Sequence, residues 1–152
     1  MVYFLDTEFN GFGGELISLS LVREDGESLY IVYPEPVSGY CDWVRDNVVP
    51  ILWDIPEKFP GVAAKIWDHK EGSRLIHEFF QGDNDPTVIC DWPDDISYLC
   101  KAMVTGPGEM IPLARMKFQM IRIVSYPTAL PGAIQHNAYW DARAIRYHFL
   151  VK

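Results

Sequence analysis

Asp6 and Glu8 stand two residues apart at the end of an apolar opening run, and Asn10-Gly11 breaks that run directly afterwards. Such a stretch reads as a buried strand that delivers two carboxylates to its C-terminal end. Strand side chains two apart share a face. Two like charges held together in this way repel unless a proton or a cation lies between them, and carboxylate oxygens suit Mg2+ and Mn2+. The pattern alone says little, because the chain has 21 acidic residues and Asp25-Gly26-Glu27 repeats it. That second copy lies in a polar turn between two strand-like runs and reads as a solvated hairpin tip. Position at a strand end is what distinguishes Asp6 and Glu8.

Two further groups follow elements in the same manner. Asp91, Asp94 and Asp95 come just after the short run Thr87–Cys90. In open α/β sheets ligands bind beyond the carboxyl ends of strands; the ordinary alternative is that Asp94 or Asp95 caps the next helix. His136 and Asp141 form the other group. Five residues on a helix turn through about 500°, so two fully helical side chains at this spacing point about 140° apart. They address one site only if His136 lies in the preceding loop and Asp141 on the first turns, and Asn137 is a good N-cap type for that boundary. Pro131-Gly132 upstream agrees that His136 leaves a loop. His69, His77 and His148 have no Asp at this spacing and read as helix-surface or core residues.

The elements that must position these groups are partly legible. Residues 15–22 and 29–33 read as second and third strands of an antiparallel meander, with turns at 11–14 and 23–28. Residues 41–53 suggest a helix broken near Pro50, and 62–69 and 73–81 two more, with Ser73 as N-cap of the latter. Residues 55–61 read as loop, and 82–86 as a strong turn signal. Thr87–Cys90 is a buried, parallel strand type. Residues 96–103 have helical spacing that Gly106-Pro107-Gly108 ends, 111–125 fit helix or strand, 126–132 are loop, and 138–151 close as a helix. The order implies an α/β domain with a mixed sheet.

At 152 residues the chain suits one domain, 1–152. A hydrophobic share of 49% and a charged share of 22% fit a soluble globular protein, and no apolar run approaches the ~20 residues of a membrane helix. No secretory signal is expected, because Asp6 and Glu8 interrupt the opening run. Cys41, Cys90 and Cys100, odd in number and without Cys-x-x-Cys spacing, point to reduced thiols and a cytoplasmic setting. The net charge of −8 counts against nucleic-acid binding. Its distribution softens that objection: residues 1–114 carry 20 acids and 7 bases, whereas 115–152 carry Arg115, Lys117, Arg122, Arg143, Arg146 and Lys152 against Asp141 alone.

Taken in order, Asp6-x-Glu8, then Asp95, then His136-x4-Asp141 resembles the DEDDh family of 3′–5′ exonucleases across essentially the whole chain, and most of all its small RNase T-like exoribonucleases. Asp6-Thr7-Glu8 looks like the first motif, Cys90 to Leu99 the second, and His136 to Asp141 the third. The second motif departs from the family: Asp91 stands where Asn is usual, and Asp94 where Phe or Tyr is usual. The resemblance implies an RNase H-like mixed sheet flanked by helices. It also implies two Mg2+ or Mn2+ ions held by Asp6, Glu8, Asp95 and Asp141, with Asp91 as a supporting group or alternative ligand. His136 would be the general base, because imidazole titrates near neutrality and accepts a proton from water. Substrates would be 3′ ends of single-stranded RNA or DNA, met by Thr7, Phe9 and Asn137. Phe9 and Trp92 offer faces for stacking bases, set against the commoner role of core packing. Bound cations would answer the acidity objection by presenting positive charge to phosphate. Relatives of this type are often homodimers. The rival classes are a DNA-end or short-oligonucleotide exonuclease on the same fold and a non-catalytic nucleic-acid-binding module.

Overall fold

Tyr3 and Leu5 point to one side of the first strand and Phe4 to the other, and each side is buried by a different set of helices. The computed structural model describes residues 1–123 and 130–151. Strands β1 (Val2–Phe9), β2 (Leu16–Arg23) and β3 (Ser28–Val32) form the expected antiparallel meander. Asp25-Gly26-Glu27 lies at its hairpin tip, where Arg23 N–H donates to Glu27 O at 2.8 Å. Helix α1 (Asp42–Asn47) passes into a short 3-10 turn, Val49–Ile51, so the break near Pro50 is real. Then come β4 (Gly61–Lys65), α2 (His69–Phe80), β5 (Thr87–Cys90), α3 (Pro93–Met103), β6 (Val104–Gly106), β7 (Glu109–Met110), β8 (Lys117–Met120) and α4 (Ala138–Leu150).

The main sheet has six strands in the order β4-β3-β2-β1-β5-β8, with β4, β5 and β8 parallel to their neighbours. It is a mixed α/β sheet flanked by helices, consistent with the RNase H-like expectation. One face packs Tyr3, Leu5, Leu21 and Ile31 against Ile76, Phe80 and Leu99 of α2 and α3. The other packs Phe4, Ile17 and Tyr30 against Val44, Tyr139 and Ile145 of α1 and α4. No helix among the described residues is long and apolar enough to cross a membrane.

Three sequence expectations give way. Residues 62–65 are an edge strand rather than a helix, because Gly61, at φ +136°, brings its backbone against Ser28 O, where a Cβ would stand 1.9 Å away. Helix α2 therefore starts later than 62 and earlier than 73. Asp68 is its N-cap, accepting from Glu71 N at 2.9 Å, and Ser73 lies inside it, tying α2 to α3 through Ala102 O at 2.7 Å. Gly106-Pro107-Gly108 is the turn of the small β6–β7 hairpin and not simply a helix stop. In 111–125 the strand alternative holds for Lys117–Met120. The remainder of that stretch beyond residue 123, and residues 126–129 of the expected loop, lie outside the described residues.

Candidate metal centre

Strand alternation puts Asp6 and Glu8 on the α4 side of β1, together with Phe4, while Thr7 turns toward α3. A register shift between Glu8 and Phe9 bends β1 at this point, the kind of bulge that re-aims side chains beside functional sites. Beyond it, Asn10 ends the strand: its Oδ1 accepts Cys41 N–H at 2.8 Å and its Nδ2 donates to Gly39 O at 3.1 Å. The same residue that breaks the apolar run thus anchors the start of α1.

Asp6, Glu8 and Asp141 bring carboxylate oxygens within 4.8 Å of one another, and so do Asp6, Asp91 and Asp95. Asp6 belongs to both trios, so five carboxylates converge around one strand position. Asp95 is 1% exposed and comes from the first turn of α3. It does not cap that helix. Its Oδ1 instead accepts Thr7 Oγ at 2.6 Å and Thr7 N–H at 3.1 Å, which locks α3 to β1. Asp94 does not cap it either; its carboxylate accepts Trp92 Nε1 at 3.1 Å. Helix α3 begins with Pro93 at its first position and no side-chain cap.

His136 sits in the loop before α4, as its spacing requires, at φ +64°. This left-handed backbone is uncommon for a residue other than glycine. Two contacts hold it: His136 N–H donates to Asp141 Oδ2 at 2.9 Å, and Asn137 caps α4 by accepting from Tyr139 and Trp140 N–H. Asn137 is fully buried and its Nδ2 donates to Ile51 O at 2.8 Å. The side chains of Asn137 and of buried Thr7 are therefore committed within the protein rather than open to a substrate. Phe9 stacks on Tyr98, centroids 4.8 Å apart, while lining an apolar cleft with Glu8, Trp43 and Trp92. A separate cavity of about 320 Å³ is lined by Asp6, Asp91, His136 and Asp141.

Sequence reasoning missed Trp43 of α1, whose indole meets the His136 ring edge-to-face at 5.0 Å and 86°. The available signal is local. Val44 and Val48 mark the buried side of this segment, and on a helix Trp43 falls about 100° off that side.

Burial sets the electrostatics. It raises Asp6 well above the ordinary carboxylate range, and the charges of Asp95, Asp141, Glu8 and Asp91 raise it further. Glu8 is pushed up to about 8 by burial, then by Asp141 and Asp95. Asp95 reaches about 7 by burial, even though the Thr7 hydrogen bond pulls it down. Burial also raises Asp91, with Arg122 opposing. Among the described residues, Asp6 Oδ2 and Asp95 Oδ2 are buried and accept no hydrogen bond. An all-carboxylate oxygen set with buried, unused lone pairs fits hard divalent cations such as Mg2+ and Mn2+.

These raised values carry a stability consequence. A carboxyl whose folded pKa exceeds its unfolded value binds its proton more tightly in the native state, so its stabilising contribution is lost as pH rises. Without metal, the melting temperature is expected to fall between about pH 4, the unfolded carboxylate range, and the values near 7 and 8 at Asp95 and Glu8. Millimolar Mg2+ or Mn2+ should restore it most at the alkaline end, by about 2.7 kcal/mol when the ion is at 100 times its Kd. Scanning calorimetry from pH 5 to 8.5 tests this; a metal-free melting temperature that rises with pH would contradict it.

No family model matches the chain. Over 117 residues, 74% of its length, it is 32% identical to proteins named 3′-5′ exoribonuclease from two strains of Mycobacterium tuberculosis. The match spans 66% of each relative's own length, just under two thirds. The likeness is one of sequence to proteins of that name over this stretch.

Proposed function

Taking kinship with proteins named 3′-5′ exoribonuclease as the premise, we propose that this chain is a metal-dependent 3′-5′ exoribonuclease of DEDDh type that releases nucleoside 5′-monophosphates. The carrying observation is the convergence of Glu8, Asp91, Asp95 and Asp141 on Asp6, beside a cavity that His136 also lines. Asp6, Glu8 and Asp141 would hold one divalent ion and Asp6, Asp91 and Asp95 a second, with Asp6 common to both. Bound ions of this kind activate a water and stabilise the leaving 3′-oxygen of a phosphodiester.

The protein's own groups do the rest. His136 accepts the proton of the attacking water, and its exposed loop position leaves the imidazole open to the cavity. Asp141 has a double role, because its Oδ2 also holds the His136 backbone and so fixes the base relative to the carboxylates. Thr7 holds Asp95 in place through two hydrogen bonds. The departure at the second motif has a use in this reading: Asp91, where Asn is usual, adds a carboxylate to the second trio. In the apolar cleft, Phe9 and Trp92 give the terminal bases aromatic surface on which to stack.

The substrate and polarity are tested by incubating 5′-labelled and 3′-labelled single-stranded RNA, and the matching DNA, with the protein and Mg2+. A ladder shortening from the 3′ end of the 5′-labelled RNA is expected, with the 3′ label released as mononucleotide and DNA degraded more slowly. Internal cuts, or release of the 5′ label first, would overturn the reading. DNA degraded faster than RNA would redirect it to a deoxyribonuclease on the same fold.

A further inference from the structure

We propose that Trp43 is the positioning residue for His136, fixing the imidazole that accepts the water's proton. This inference rests on the reading of His136 as general base. A general base works when a third group orients it, commonly a carboxylate bonded to the second ring nitrogen. Among the described residues the His136 imidazole makes no hydrogen bond, and the contact that Asp141 Oδ2 makes with His136 is to the backbone N–H, at 2.9 Å. What the ring does meet is the Trp43 indole, at 5.0 Å and 86°.

That indole is well placed to act as a stop. Trp43 is 52% exposed, yet its helix is fixed at both ends. Asn10 Oδ1 holds the backbone where α1 begins, and Val44 and Val48 bury their side chains in the cluster that contains Ala138 and Tyr139 of α4. The same connection runs back to β1, because Asn10 lies two residues beyond Glu8. Trp43 thereby couples the position of the imidazole to the strand that carries Asp6 and Glu8. An edge-to-face pair of this kind restricts ring orientation without engaging the imidazole in a hydrogen bond.

The experiment is a double-mutant cycle in single-turnover and steady-state RNA hydrolysis, using wild type, Trp43→Ala, His136→Ala, the double variant and Trp43→Phe. Trp43→Ala is expected to lower kcat by about tenfold to a hundredfold, the scale of a misplaced catalytic group, with KM little changed. Trp43→Phe should recover most of the loss, because it keeps an aromatic face toward the imidazole. In the His136→Ala background, Trp43→Ala should change the rate by less than about twofold, the limit within which independent effects are resolved. Equal losses in both backgrounds, or a loss that falls on KM as for a side chain gripping a base, would overturn the inference. A His136→Ala variant with normal turnover would remove the general-base reading itself, which separates the two failures. The exposed position of Trp43 keeps the fold out of the comparison, and unchanged melting temperatures check that directly.

Discussion

Asp6→Asn is expected to abolish hydrolysis while raising the melting temperature of the metal-free protein. The two effects have one cause. Asp6 is the carboxylate common to both trios, and burial together with four neighbouring carboxylates raises its pKa. Removing its charge relieves that repulsion, so the metal-free fold gains stability at neutral and alkaline pH. The same change removes an oxygen from each proposed cation site. Loss of mere supporting contacts around a metal costs 10–100-fold, so loss of a shared ligand should exceed about 100-fold. Asp95 and Asp94 give the sharper contrast. Asp95→Ala strips a buried acceptor from Thr7 and should be inactive, whereas Asp94→Ala loses only a partner for Trp92 and should keep most activity. Calorimetric Mn2+ titration beside single-turnover rates reads both outcomes. An inactive Asp94→Ala with an active Asp95→Ala would move the second motif by one residue.

His136→Ala should reduce turnover by about 10²–10⁴-fold, the usual contribution of a general base, while Mn2+ affinity stays near wild type. Asp141→Ala should instead weaken metal binding, and it should also loosen the loop, because Asp141 Oδ2 accepts His136 N–H. The backbone itself offers a second route to the same question. At φ +64° His136 occupies a conformation that glycine adopts freely, so His136→Gly removes the imidazole without imposing strain. Equal losses for the Ala and Gly variants assign the effect to the ring. A much smaller loss for Gly would assign it to the backbone.

The paired carboxylates on β1 were legible because a strand's two-residue period is local: Asp6, Glu8 and the apolar run before them need no distant partner to be read. The same holds for His136 and Asn137, where helix geometry alone forces the boundary between them. Contacts between distant segments were not legible from local pattern; only the family resemblance grouped Asp95, Asp141 and Asp91 with Asp6. Val62-Ala63-Ala64-Lys65 has helix-tolerant composition, and only the open edge of β3 makes it a strand. Asp91 and Asp95 share a trio with Asp6 because β5 runs parallel beside β1 and carries them to the same end of the sheet. Nothing in the chain order places Trp43 against His136, since that contact needs both α1 and α4 on one face. Thr7 and Asn137 have the polarity of substrate-binding residues, but burial turns both inward to hold Asp95 and to cap α4.

The most direct test is metal add-back to stripped protein on 5′-labelled single-stranded RNA. Protein treated with excess chelator should leave the RNA intact, and Mg2+ or Mn2+ should restore stepwise shortening from the 3′ end. The Asp6→Asn variant should stay inactive at every metal concentration. Full hydrolysis in excess chelator, or an active Asp6→Asn variant, would contradict the assignment of these carboxylates to catalytic metal ions.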